Sequence, residues 1–249
     1  MSKKVVLATA LMVTLVFASV ASAGWLLVAG KATDVTVGGD GTTYIVGSEK
    51  GGYGIYKYDD GDWDKVEGAS GYKIAAENNG NVWTVDMEGV IWQYRAEKGK
   101  WRVVPGKATD IAIGPDNTPY IVGSEKGGYR VFKYVDGDWE NIGGLEAAYR
   151  ISVDKDNNVW TVNEEGGIYQ FRADRGKWRG IAGKATDIGA GANGGVVICG
   201  SEKGGFGIYE FIDEAWEKLE GESGITVGVN AEGKPWITNQ DGAIFKYRD

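Results

Sequence analysis

The sequence has no histidine, one cysteine and four prolines in 249 residues. The missing histidine removes the commonest metal ligand and the commonest general base at neutral pH. A lone cysteine cannot close an internal disulfide. Cys199 stands where the other copies of the repeat described below have Val46 and Val122, so it reads as a small buried apolar residue. Dense basic runs are also missing. There are 27 Lys and Arg against 35 Asp and Glu, a net charge of −8. Phosphate backbones and anionic membrane surfaces call for a basic patch, so nucleic-acid and membrane-surface binding are disfavoured. No stretch keeps a helical period, and 41 glycines oppose one.

One long apolar run is present, from Val5 to Val20, after Lys3-Lys4 and before Ala21-Ser22-Ala23. A basic start, an apolar middle and an A-x-A end describe a secretory leader rather than a membrane anchor. Residues 1–23 are therefore read as a signal peptide and the mature chain as residues 24–249. Cleavage removes two lysines and no acid, which takes the charge from −8 to −10. The mature protein is expected to be secreted, extracellular or periplasmic, without membrane insertion. Acid-rich turns such as "DDGDWD" (59–64) lack the spacing of a calcium loop, and no metal or cofactor is called for.

Six of the ten tryptophans keep time: Trp25, Trp63, Trp101, Trp139, Trp178 and Trp216, at steps of 38 or 39 residues. Each opens a W-x-x-V-x-G-like phrase, such as "WDKVEG" or "WRVVPG". Within a unit, short β-branched and aromatic runs alternate with Gly, Asp and Asn clusters, giving four strands per unit. Four-stranded units at a period near 40 predict a β-propeller. The last unit stops at Asp249 with three strands, and "WLLVAG" (25–30) supplies the fourth. The reading is all-β: a six-bladed propeller of four-stranded antiparallel blades, closed by the N-terminal strand completing the last blade.

Blades alternate. Odd ones begin after GKATD, at Asp34, Asp110 and Asp187, and carry "GSEKGG" at 47–52, 123–128 and 200–205. Even ones have the shorter turns "DMEG", "NEEG" and "NQDG", and place Trp83, Trp160 and Trp236 where the odd ones have Tyr44, Tyr120 and Val197. A pseudo-threefold ring of blade pairs follows.

The segments "DIAIGPDNTPYIVGSEKGGYRVFKYVDGDWENIGG" (110–144) and "ISVDKDNNVWTVNEEGGIYQFRADRGKWRGIAG" (151–183) resemble the tectonin repeat. The resemblance runs through the mature chain and is to the tectonin and tachylectin-2 group of propeller lectins. It implies a secreted sugar binder with several sites around the ring. The odd blades depart from the pattern, with Tyr or Val for the usual Trp and the longer SEKGG loop.

Propeller topology puts GKATD and GSEKGG on one face. Both phrases are identical in three copies, while the opposite turns differ: "GGDGTT", "GPDNTP", "GANGGV". Ser, Glu and Lys suit sugar hydroxyls, and an aromatic behind them suits an apolar sugar face. The candidate carbohydrate-binding residues are Lys31, Ser48, Glu49, Lys50 and Tyr53; Lys107, Ser124, Glu125, Lys126 and Tyr129; and Lys184, Ser201, Glu202, Lys203 and Phe206. The bland alternative is a glycine turn with solvated charges. Asp34, Asp110 and Asp187 read as structural, bonding turn backbone, and the six repeating tryptophans as packing between blades. Trp83, Trp160 and Trp236 read as core, whereas Trp92 fits either role.

A non-enzymatic, monomeric, multivalent lectin with about three equivalent sites for surface glycans or glycoconjugates is the leading expectation. A protein-interaction platform on the same fold is the alternative. Three copies of one loop argue against a unique active site.

Overall fold

In a computed structural model of the chain, the described residues are 24–48, 53–124, 129–145, 147–201 and 206–248. Residues 1–23, read above as a signal peptide, and the candidate residues Glu49, Lys50, Glu125, Lys126, Glu202 and Lys203 lie outside them.

The described chain is all-β, with 21 strands and one three-residue 3-10 turn at Ala96–Lys98. Hydrogen bonding groups the strands into three seven-stranded antiparallel sheets. The second sheet runs in chain order from β5 (Lys73–Ala76) to β11 (Asp138–Asn141), and the third from β12 (Ala148–Val153) to β18 (Ala215–Ser223). The first joins both ends of the chain: β19 (Thr226–Val229), β20 (Pro235–Thr238) and β21 (Ala243–Arg248), then β1 (Gly24–Val37), β2 (Thr43–Gly47), β3 (Gly54–Asp59) and β4 (Asp62–Ser70).

Separate four-stranded sheets were the expectation, and the hydrogen bonding differs for a local reason. GKATD is not a turn. It lies inside three 14-residue strands: β1, β8 (Lys100–Ile113) and β15 (Lys177–Ala190). β1 pairs through Gly24–Val28 with β21 and through Asp34–Val37 with β2, with register shifts between. β8 and β15 repeat this pattern. The glycine of GKATD bends the strand at positive φ (106° at Gly30), yet the flanking residues stay paired, so the sheet is not interrupted. The junctions after β4 and β18 do break, at Gly71 and Gly224. A Cβ on Gly71 would meet Thr84 Oγ1 at 2.2 Å, closer than a side chain can approach.

Six buried clusters fill the described core. Three lie within sheets. The other three join β2–β3 to β5–β6, β9 (Pro119–Gly123) to β12, and β16 (Val196–Gly200) to β19. The sheets thus pack in a closed cycle. Cys199 is fully buried in the last of these clusters, and burial pushes its thiol pKa up.

The repeating tryptophans do what the spacing suggests. Each donates its indole N–H to a carbonyl one residue before a W-x-x-V-x-G glycine of the preceding phrase: Trp63 to Ala29 (2.7 Å), Trp139 to Pro105 (2.8 Å) and Trp216 to Ala182 (2.8 Å). Trp101, Trp178 and Trp25 bond Glu67, Gly143 and Glu220. Each of those glycines has positive φ, and a Cβ there would come within 2.9–3.1 Å of the ring. Each tryptophan also meets an aromatic one strand away, with centroids 4.7–5.3 Å apart. Trp25 therefore clasps the C-terminal part of the chain as the other five clasp their neighbours.

Candidate functional site

Three equivalent notches form where GKATD meets the first residue of SEKGG. The Ser48 backbone N–H donates to Lys31 O at 3.0 Å, Ser124 to Lys107 at 3.0 Å, and Ser201 to Lys184 at 2.9 Å. The third wall is a glycine of the even turn: Gly242, Gly89 or Gly166. An added Cβ there would lie 3.3–3.6 Å from both the serine hydroxyl and the lysine stem. Lys107 and Lys184 donate Nζ to the carbonyls of Glu88 (2.6 Å) and Glu165 (2.7 Å). Lys31 and Lys184 are exposed and Lys107 is half-buried. Tyr53 and Tyr129 are 38% and 39% exposed behind their loops, and Phe206 is half-buried.

Beside two of these notches, the repeating tryptophans expose part of their rings. A groove of about 430 Å³ is bounded by Lys31, Gly47, Tyr56, Asp62 and Trp63. Its counterpart, about 250 Å³, is bounded by Lys107, Gly123, Phe132, Asp138 and Trp139. An aromatic floor flanked by a carboxylate and an ammonium suits a sugar ring. Sequence reasoning gave these tryptophans a packing role alone. Asp62 and Asp138 each stand immediately before their Trp and accept its backbone N–H at 2.8 Å, which sets the carboxylate beside the ring.

The axis carries a different constellation. Asp34, Asp110 and Asp187 are buried, and each accepts a backbone N–H from the next sheet: Ile74 (2.9 Å), Ile151 (3.0 Å) and Val227 (2.9 Å). Their role is structural, as read, but the donors are innermost strands rather than turns. Lys73 Nζ meets Asp34 Oδ1 at 3.1 Å, and Arg150 Nε approaches Asp187 Oδ1 at 3.9 Å. Burial drives the Asp110 carboxyl up to about 7, with Lys73 and Arg150 pulling it back and Asp187 and Asp34 adding to the rise. Burial likewise raises Asp187. Burial works against the Lys73 ammonium, yet the carboxylates, Asp34 first, hold its pKa above the usual lysine value.

Above this cluster, on the face of the notches, opens a cup of about 720 Å³. Ser48, Ser201 and Phe206 line it together with Lys73 and Arg150, so members of two notches converge there. At the opposite end the axis narrows to a cavity of about 40 Å³. The wide mouth is thus on the face whose loops are identical. Among the described residues, no three of His, Cys, Asp and Glu are grouped to hold a metal ion.

Trp83 and Trp160 are 2% exposed and donate to the buried carboxylates of Glu77 and Asp154 (2.9 Å to Asp154). They are core, as read, and Trp236 is 7% exposed. Trp92 donates to Asp86 Oδ2 at 2.9 Å and braces its turn.

Curled antiparallel sheets packed in a cycle around an axis define a β-propeller-like protein. The chain belongs to the tectonin domain family, whose model matches residues 13–184. The fold is shared with a gluconolactonase from Xanthomonas campestris, at a TM-score of 0.71 and 13% identity over 91% of this chain and 89% of that one. It is also shared with a protein of unknown function from Bacteroides thetaiotaomicron, at a TM-score of 0.64 and 17% identity over 91% and 72%. No curated protein sequence matches the chain significantly.

Proposed function

We propose that the chain is a secreted, multivalent carbohydrate-binding protein that performs no covalent chemistry. The observation that carries this reading is the threefold recurrence of the Lys–Ser–Gly notch on one face, with the same backbone bonds in each copy. A unique active site has no use for three copies, whereas a binder of repetitive glycan surfaces does. Single sugar sites near ~1 mM give about −4 kcal/mol each, and simultaneous engagement of several raises the effective affinity.

The strands are counted here as a six-bladed propeller within residues 24–249. β1, β8 and β15 each supply the outer strand of one blade and the inner strand of the next. Six core clusters and six tryptophan clasps support that count. The gluconolactonase likeness is one of fold.

A glycan array probed with labelled residues 24–249 tests the function. The expected result is selective binding to one glycan class, competed by the free sugar and lost when Glu49, Glu125 and Glu202 are all replaced by alanine. Binding that survives the triple change removes the loop carboxylates from the site. A blank array at high protein concentration overturns the reading in favour of a protein-interaction platform.

A further inference from the structure

We propose that the cup on the axis is a single site for an acidic sugar, whose carboxylate seats on Arg150 and Lys73. This rests on the carbohydrate-binding reading and adds to it a site outside the threefold set.

The pseudo-threefold repetition fails on the axis. The innermost strands read "YKIAA", "YRISV" and "ITVGV", so Lys73, Arg150 and Thr226 hold equivalent positions. Two cations and a hydroxyl make one unique arrangement, and a ligand there binds once per chain. The cup's volume of about 720 Å³ suits a small-molecule site.

The cup meets the cations rather than the carboxylates. Arg150 lines only the cup, and Lys73 lines both the cup and the narrow channel beneath, a cavity of about 80 Å³ that Asp34, Asp110 and Asp187 border. The acids stand behind the cations and hold them charged. Arg150 retains donors. Its Nη1 bonds Tyr149 O at 3.3 Å, its Nε reaches Asp187 only at 3.9 Å, and its Nη2 bonds nothing among the described residues. The guanidinium lies 3.9 Å from the centroid of the Tyr149 ring, which fixes the fork. Lys73 Nζ uses one of its three donors, on Asp34. A planar carboxylate is the partner that a fixed guanidinium fork takes bidentately.

The walls fit the rest of a sugar. Tyr72 and Phe206 offer aromatic surface and Ser48 and Ser201 offer hydroxyls, while the Thr33 and Thr186 hydroxyls, which donate to Val46 O and Cys199 O, can accept. The rim carries the exposed acids Glu164, Glu165 and Asp241. Those acids disfavour polyanions and leave a ligand with one carboxylate that reaches the floor.

The test is calorimetric titration of residues 24–249 with methyl glucuronoside and, in parallel, methyl glucoside. The glucuronoside is expected to bind one per chain and about tenfold tighter than the glucoside. Its affinity should fall as NaCl rises from about 50 to about 500 mM. Arg150→Gln should abolish that preference. Arg150 is nearly buried, so the fold-neutral second variant is Gln240→Glu on the exposed rim. Gln240→Glu should weaken the glucuronoside about threefold and spare the glucoside. Equal affinity for the two probes, three glucuronosides per chain, or indifference to both variants overturns the axial site. Neutral glycans bound without preference for the acid overturn it alone, and failure to bind any sugar overturns the carbohydrate reading with it. One glucuronoside bound with neutral glycans ignored supports the axial site and removes the three notches.

Discussion

Replacing Trp25 with alanine tests whether the first strand clasps the ring shut. The half-buried indole donates to Glu220 O at 3.1 Å and meets Tyr247 edge-on at 5.2 Å. The hydrogen bond contributes about 1 kcal/mol, and the aromatic pair about another. Half the area of a tryptophan side chain, ~100 Å², is worth about 2.5 kcal/mol at ~25 cal/mol/Å². A compact denatured state reduces these figures, so the expected loss is about 3 kcal/mol. Trp101→Ala is the control. Its indole bonds Glu67 O at the same 3.1 Å and lies 5.2 Å from Tyr94, but its clasp joins neighbouring parts of the chain. Urea unfolding followed by circular dichroism should show similar losses for the two variants. A Trp25→Ala loss under about 1 kcal/mol beside a full loss for Trp101→Ala would show that the terminal strand does not hold the ring.

Other perturbations have equally definite outcomes. Gly221→Ala, at φ 116° with its Cβ 2.9 Å from Trp25, should cost about 1–3 kcal/mol in urea unfolding. Asp110 has a folded pKa near 7, above its unfolded value, so its contribution to stability is fully present below about pH 4 and is lost as pH rises through 7. Asp110→Asn should therefore gain stability relative to the native chain between pH 5 and pH 8, read from urea midpoints; a pH-independent difference would contradict the burial of that charge. Lys73→Met leaves Asp34 buried without its cation and should cost about 3–5 kcal/mol, with Asp34→Asn in the same chain restoring part of it. Cys199 should resist thiol reagents in the native protein and react in urea, as complete burial requires.

Much of this fold was legible because the repeat writes its own contacts. The tryptophan of one W-x-x-V-x-G phrase and the glycine of the preceding phrase form one clasp, so their common period announced both the strand and its partner. The uninterrupted sheets were not legible: GKATD looks like a connection, and only the pairing of Asp34 with Val46 shows that the strand carries on through it. The notches were half legible, since identical loops pointed to one face but not to the even-turn glycines that wall them. Lys73 and Arg150 were missed because each stands near the start of a short innermost strand, where a single cation looks like an outward residue. Their signal was a charge inside runs as apolar as "KIAA" and "RISV", legible only once the aspartates were known to face them across the axis.

The most direct measurement is a crystal structure of residues 24–249 soaked with the glycan that binds best on the array. The expected result is sugar density at all three notches, against Lys31 and Ser48, Lys107 and Ser124, and Lys184 and Ser201. Density that avoids all three, for a glycan that binds in solution, would contradict the assignment of the repeated face as the carbohydrate-binding surface.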